Sequence, residues 1–409
     1  MAVLYPFRAL RFSPAAGEPG ELISPPFDRL GLEETETLRN TGPFHAVWLE
    51  CPEQGASGAA RTLSEWLGTG ILKRDSAPAI YIYEQKFVFR GQKRTVKGLL
   101  CRVKTDGEAL AAFSEAEPEQ SVERLELIKA TSCEFSPVRM LYEDDGRKTM
   151  SRVNLLSRGK PRISFTRQGV THRLWVINDQ LILRTIREDF EGRKLRIADS
   201  FEGFQAARQV GAGSVFALLT DLEQETALIP FHCTVSAGGF DIVRFLADCR
   251  PYFQVISREA VSLRIADEIE SNLDALYRQG KKAFGLYTGG KSWTLLLLLD
   301  TESTEDAELP QSRDTLEQLD GSLLRGLILE RLLGINPALL REQCTFLLSA
   351  EEAVRSVERG EARCAFLLNP PRLKEICEVA DSGEPAPPKT ACCYPPVPAG
   401  LVMSMIEDV

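Results

Sequence analysis

Two aspartates stand where a ligand or a reacting group could be met. Asp28 follows Ser24-Pro25-Pro26, and prolines stiffen a turn that would hold its carboxylate at the mouth of a site. The same residue also reads as a turn-capping aspartate. Asp199 closes a short apolar strand, Leu195 to Ala198, and precedes a helical stretch beginning at Phe201. A carboxylate there suits metal or ligand contact, or it is the N-cap of that helix. His232 follows a predicted strand, where a lone imidazole faces the same cleft or is simply structural. Lys291, after Gly289-Gly290, is either an anion contact or a solvated hairpin-turn lysine. The run from Gly146 to Arg173 holds eight basic residues and no acid. It reads as a solvated hairpin with charged outer faces, or as a surface turned toward an anion.

Other chemistries are absent from the sequence. There is no G-x-x-x-x-G-K-S/T loop, and VGAGS at 210–214 is too short to be one. No G-x-S-x-G elbow and no metal-ligand spacing occurs. With 3 histidines, a His-rich metal centre is excluded by count. The vicinal pair Cys392–Cys393 has no basic neighbour to lower a thiol pKa, which argues against redox chemistry there.

The elements that must position these residues alternate between helix and strand. Glu33 to Asn40 and Ala59 to Gly68 read as helices, and Phe44 to Leu49 as a strand. Ile80 to Phe89 and Lys93 to Val103 form a predicted hairpin, alternating in YIYEQKFVF and turning at Gly91. Glu108 to Glu126 reads as an acidic loop leading into a helix. Asn178-Asp179 should cap a helix from Gln180, and Phe201 to Gln209 should be helical. Strands are expected over Ser214 to Leu219, Ala227 to Val235, Cys344 to Leu348, Ala365 to Leu368 and Gly400 to Met403. Gly285 to Leu299 should be a hairpin. Ser322 to Leu333, Ala350 to Glu358 and Pro371 to Ala380 should be helices. The fold class is therefore α+β. The Cys249-Arg250-Pro251 break suggests two units, 1–250 and 251–409.

A chain of 409 residues with 44% hydrophobic and 26% charged residues buries a full core without staples. The formal net charge of −9 disfavours a nucleic-acid partner, which needs a cationic surface. The longest apolar run, Trp293 to Leu299, is too short to cross a membrane. The N-terminus lacks the apolar core of a signal peptide. Ten scattered cysteines, none in a C-x-x-C pair, fit a reducing cytoplasm. Composition leaves a small-molecule ligand open as a partner and fixes no oligomeric state.

Several segments in order resemble one family. They are PFRALRF at 6–12, SPPFD at 24–28, RLELIKAT and FSPVRMLYED within 124–144, HRLWVI at 172–177 and IADSFEGFQAA at 197–207. The series continues with PFH at 230–232, FGLYTGGK at 284–291, LLRGLILERLLGI at 323–335, AFLLNPPR at 365–372 and PPKTACCYPPVPAGLV at 387–402. The chain is identified as resembling the domain-of-unknown-function 1015 family, which is similar to free-serine kinases of the ParB/sulfiredoxin superfamily. The resemblance implies a ParB/sulfiredoxin-like N-terminal unit with a C-terminal α/β unit packed on it. For an active member it implies nucleotide with Mg²⁺, and a carboxylate such as Asp28 or Asp199 positioning a hydroxyl.

The family's marker is a strand followed by D-G-H-H-R at a helix start, an arrangement that offers backbone N–H groups, a helix dipole and an arginine to a phosphate. Here Asp199 remains, but the next positions are Ser200, Phe201, Glu202 and Gly203. Both histidines and the arginine are gone, and a Glu202 carboxylate near a phosphate would repel it by several kcal/mol at about 4 Å. Of the family's terminal P-P-K-S-T-Y-F-Y-P-K stretch, Lys389 survives as a ligand-binding candidate. Two functions follow. The first is a catalytically eroded member that keeps a ligand-binding or regulatory role, with Ser200, Glu202, Gly203, His232, Lys291 and Lys389 around the ligand. The second is a small-molecule phosphotransferase whose phosphates rest on the 147–173 cations. No metal site and no cofactor is assigned from the residues themselves.

Overall fold

Alternation in the predicted hairpin is realised over its full length. In the computed structural model, which describes residues 2–105, 110–224, 226–238, 240–262, 264–299 and 316–406, strand β2 (Ile80–Phe89) pairs antiparallel with β3 (Gln92–Lys104). Arg90 and Gly91 turn the chain at φ 49° and 76°, the pair of positive φ values that a tight hairpin requires. These strands centre a nine-stranded sheet. Its other members are β1 (Leu4–Tyr5), β4 (Leu110–Ala112), β5 (Val138–Tyr142), β6 (Ile163–Arg167), β7 (Val170–Ile177), β8 (Leu195–Asp199) and β9 (Ser214–Asp221). The order is β4-β8-β5-β9-β3-β2-β7-β6, with β1 on β3. Gly98 lets β3 and β9 close up, since a Cβ there would lie 2.3 Å from the Leu219 carbonyl oxygen. Both faces are covered. Ile80, Ile82, Leu99, Met140 and Ala217 pack under the helix Gln180–Asp189 through Leu183 and Ile186. Tyr81, Tyr83, Leu100, Phe216 and Leu218 pack under Phe7, Ile23, Val397 and Leu401.

Contacts divide the chain into two units, 1–227 with 393–409, and 228–392. The sequence break at 250 falls inside the second unit, between the helix Ile242–Cys249 and a strand of the sheet that unit builds. That sheet is antiparallel throughout. It comprises β10 (His232–Val235), β11 (Phe253–Glu259), β12 (Ala283–Tyr287), β13 (Ser292–Leu298), β14 (Cys344–Leu347) and β15 (Cys364–Leu368), ordered β11-β13-β12-β15-β10-β14. Helices Ile265–Arg278 and Ala350–Glu358 cover one face through Ile269, Leu273, Ala353 and Val357. The architecture is mixed α and β, as the sequence pattern requires.

Four local expectations change. Phe44 to Leu49 is not a strand, because its C-terminal half turns into the short helix Val47–Glu50 after His45 Nδ1 accepts the Val47 N–H at 3.2 Å. The basic run is not one hairpin: Lys148–Leu156 is a helix, and only β6 and β7 form the hairpin. The segment Leu323–Leu332 is wound as a π-helix, a rare form. The final strand is Ser404–Met405 rather than Gly400 to Met403, since Gly400 sits at φ 84° where a Cβ would lie 2.4 Å from Ala46 Cβ. The expected acidic loop begins outside the described residues. No described helix is long and apolar enough to cross a membrane. All ten cysteines are free thiols, nine of them buried.

Candidate functional site

Prolines 25 and 26 deliver the chain into a 3₁₀ turn, Phe27–Arg29. The turn is anchored by the Phe27 N–H, which donates to Glu50 Oε1 at 3.2 Å. Its third residue, Arg29, reaches the end of β8, where Nη2 donates to both oxygens of Asp199 at 2.7 Å. Arg29 Nε lies 3.4 Å from Asp28 Oδ2. One buried guanidinium thus stands between the two aspartates. A bulge in β8, between Ile197 and Asp199, re-aims the strand end. Asp199 also accepts the Ser200 N–H at 3.2 Å and the Cys393 N–H at 3.3 Å.

Ser200 then adopts the left-handed conformation, φ 60° and ψ 50°, and the helix α1 (Phe201–Gln209) begins. Asp199 is therefore an ion-pair partner and not the N-cap. Glu202 turns inward, where its Oε1 accepts the Glu117 N–H at 2.9 Å at the start of the helix Pro118–Thr131. Gly203 packs so closely that a Cβ would lie 2.9 Å from Ser200 Oγ. Asp28, Asp199, Ser200, Glu202 and Gly203 are thus brought together in the first unit.

The electrostatics are crowded. Burial raises the Asp28 carboxyl to about 7 from 3.8, opposed by Arg29 and reinforced by Asp199, Glu202 and Glu50. Burial also raises Glu202, against the N–H groups of Glu117 and of Glu202 itself. Glu50 accepts the Ser136 hydroxyl at 2.7 Å and faces Arg124 at 3.7 Å. Arg124 in turn stacks over the Phe27 ring at 4.0 Å. Asp28 Oδ1 and Glu50 Oε2 are buried without a hydrogen-bond partner. Four carboxylates and two guanidiniums share this interior, and a bound proton relieves the excess charge. Among the described residues no group of three or more His, Cys, Asp or Glu is arranged to hold a metal ion.

The remaining candidates belong to the second unit. His232 is 1% exposed, and its Nδ1 accepts the Leu368 N–H at 3.3 Å. Burial lowers its pKa to about 4, so it is a neutral structural acceptor. Lys291 is exposed at the β12–β13 turn, beyond the end of the sheet where Tyr287 pairs with Ala365. Lys389 takes a left-handed backbone, φ 56°. The sheet register puts His232 and the Lys291 turn at opposite ends of their strands.

Half of the basic run is engaged within the fold, while Lys148, Arg158, Lys160 and Arg162 are exposed. Arg147 pairs with Glu223, Arg152 with Asp189 and Arg173 with Glu84. Arg167 donates to the carbonyls of Gly20 and Ile23. Sequence reading missed Arg29, Glu50, Arg124 and Glu117. Arg29 had a signal, its place directly after Asp28, whereas Glu50 meets the turn only through the fold.

A family described as "Protein of unknown function (DUF1015)" matches residues 4–322. No curated protein matches the sequence. Among solved structures, the chain is similar to a conserved hypothetical protein from Pyrococcus furiosus, at 12% identity and TM-score 0.40, over 76% of this chain and 97% of that one. It is also similar to a free serine kinase in complex with AMP, at 13% identity and TM-score 0.37, over 76% and 93%. A variant of free serine kinase in complex with ADP matches at 11% identity and TM-score 0.40, over 76% and 94%.

Proposed function

The chain belongs to the DUF1015 family, and we propose that it is a member whose phosphotransfer chemistry is eroded and whose role is small-molecule binding or regulation. One observation carries the reading: Arg29 holds both oxygens of Asp199 at 2.7 Å. The turn that would cradle a phosphate is satisfied from within. The Ser200 N–H is spent on Asp199, and Ser200 is 6% exposed. Glu202, committed to the Glu117 N–H, puts a carboxylate where a phosphate would lie. Nucleotide with Mg²⁺ does not fit this turn.

One feature favours the second reading, a small-molecule phosphotransferase. The Asp28 carboxyl, held at about 7 with an unpartnered oxygen, has the properties of a general base. Calorimetric titration with ATP, ADP and CTP in the presence of Mg²⁺, and mass spectrometry for phosphoserine formed from serine and each nucleotide, separate the two. Erosion predicts neither heat nor product. Micromolar Mg²⁺-dependent binding, or phosphoserine, overturns it.

A further inference from the structure

Beside the Asp28–Asp199 turn, the first unit forms a half-open cavity of about 250 Å³, lined among others by Ile23, Pro25, Arg167, His172, Tyr394 and Pro395. Its size is that of a small fragment rather than a drug-sized ligand. The walls are largely prolines and aliphatic side chains, interrupted by the polar side chains of Ser24, Arg167, Gln168 and His172.

Arg167 extends from β6 with its charge met by the carbonyl oxygens of Gly20, at 2.7 Å, and Ile23, at 2.5 Å. Glu34 and Glu21 influence it from a distance, but neither forms an ion pair with it among the described residues. His172 stacks on Phe165 at 4.9 Å and shares a 2.7 Å hydrogen bond between Nδ1 and the Tyr83 hydroxyl. Burial and Arg167 push its pKa down to about 4, so the ring is neutral at physiological pH. In the tautomer in which the Tyr83 hydroxyl donates to Nδ1, the ring proton sits on Nε2 and is the donor that His172 would give an anion.

The opposite wall is held from beneath. Gln85 Nε2 donates to the Pro396 carbonyl at 2.9 Å, and Arg139 Nη2 donates to the Pro395 carbonyl at 3.1 Å. The Tyr394 ring packs against Phe87 at 5.5 Å and Phe89 at 5.4 Å. Arg139 is 1% exposed, its Nε and Nη1 have no hydrogen-bond partner, and it has no ion pair among the described residues. Arg139, buried beneath this wall, and Arg167, partly exposed in the lining, thus favour an anion in the cavity.

We propose that this cavity binds a small organic anion, an oxyanion carried on a flat apolar group, with the oxyanion on Arg167 and His172 and the flat body between the prolines and Tyr394. The inference gives a ligand class to the binding role proposed above and rests on that role. It uses none of the residues of the Asp199 turn, so the two fail separately.

The test is titration of the whole chain, selectively labelled at histidine, with benzoate, phenyl phosphate and the neutral isostere benzamide. Saturable movement of the His172 resonances by benzoate or phenyl phosphate, with those of His232 unmoved, is expected. The stronger of the two anions identifies carboxylate or phosphate as the group read. Benzamide should bind at least about 10-fold more weakly, as should either anion to Arg167→Gln, a loss of roughly one charge-assisted hydrogen bond. If neither anion moves His172, or benzamide binds equally well, the proposal is wrong. It is equally wrong if Arg167→Gln, folded by circular dichroism, binds unchanged. The wild-type comparison stands alone should the variant not fold. ADP titrated in parallel tells the sites apart: heat without movement of the His172 resonances belongs to the Asp199 turn, and heat with that movement to this cavity.

Discussion

Replacing Asp28 by Asn should stabilise the protein at pH 8 and change little at pH 4. The folded carboxyl titrates at about 7 against an ordinary 3.8. Each unit is worth about 1.4 kcal/mol, so the ionised Asp28 destabilises the folded chain by about 4 kcal/mol. The sign follows from proton binding. Between pH 4 and pH 7 the folded state holds a proton that the unfolded state has released, so stability falls as pH rises through that window. At 16% side-chain exposure, solvent screening removes little of this. An amide is isosteric and carries no charge to desolvate. Urea denaturation, followed by tryptophan fluorescence, measures the difference. Trp48, Trp66 and Trp175 lie in the first unit and Trp293 in the second, so the signal is dominated by the unit that carries Asp28. A gain of several kcal/mol at pH 8 that vanishes by pH 4 is expected. Equal effects at both pH values, or destabilisation at pH 8, would refute the account of a carboxyl kept protonated by burial among Asp199, Glu202 and Glu50. A stabilising substitution at a buried turn would also mark the native residue as retained for something other than stability.

Arg29→Met should cost about 3–5 kcal/mol, because it strands the buried Asp199 and Asp28 carboxylates without their shared cation. A thermal melt unchanged within a degree would contradict the pairing. Gly203→Arg, which returns the family's arginine to its motif position, should lower stability and restore no nucleotide binding. Its Cβ would lie 2.9 Å from Ser200 Oγ, and calorimetry with ADP is the check. His45, His172 and His232 each have a pKa lowered to about 4 by burial. None should titrate between pH 5 and pH 8 in an imidazole chemical-shift titration. Their stabilising contribution is complete above about 6.5 and is lost as pH falls toward 4, opposite in sign to that of Asp28.

Local chemistry was legible wherever one segment decides its own shape. The hairpin turn at Arg90-Gly91, the Asp179 cap that accepts the Leu181 and Ile182 N–H groups at 3.0 Å, and the strand-turn-helix of Leu195 to Gln209 were all readable from period and punctuation. So was the departure of Ser200, Phe201, Glu202 and Gly203 from the marker of the family that the chain resembles. What Asp199 meets was not readable. Arg29 and Asp199 are 170 residues apart, and Cys393 and Asp199 are 194 apart. Such pairs leave no periodic trace in the chain.

The same limit explains His232 and the basic run. From sequence, a histidine after a strand faces a cleft or a core equally well, and the register of β10 against β15 sent it into the core as an acceptor for Leu368. Eight cations in one run look like an anion surface until the fold supplies Glu223, Asp189 and Glu84 as partners for three of them. Sequence determined which side chains exist and which short elements they build. Tertiary structure alone decided which charges meet out of reach of water, and desolvation makes that meeting decisive: the same Asp and Arg that interact weakly in solvent become, once buried together, the feature that closes the turn.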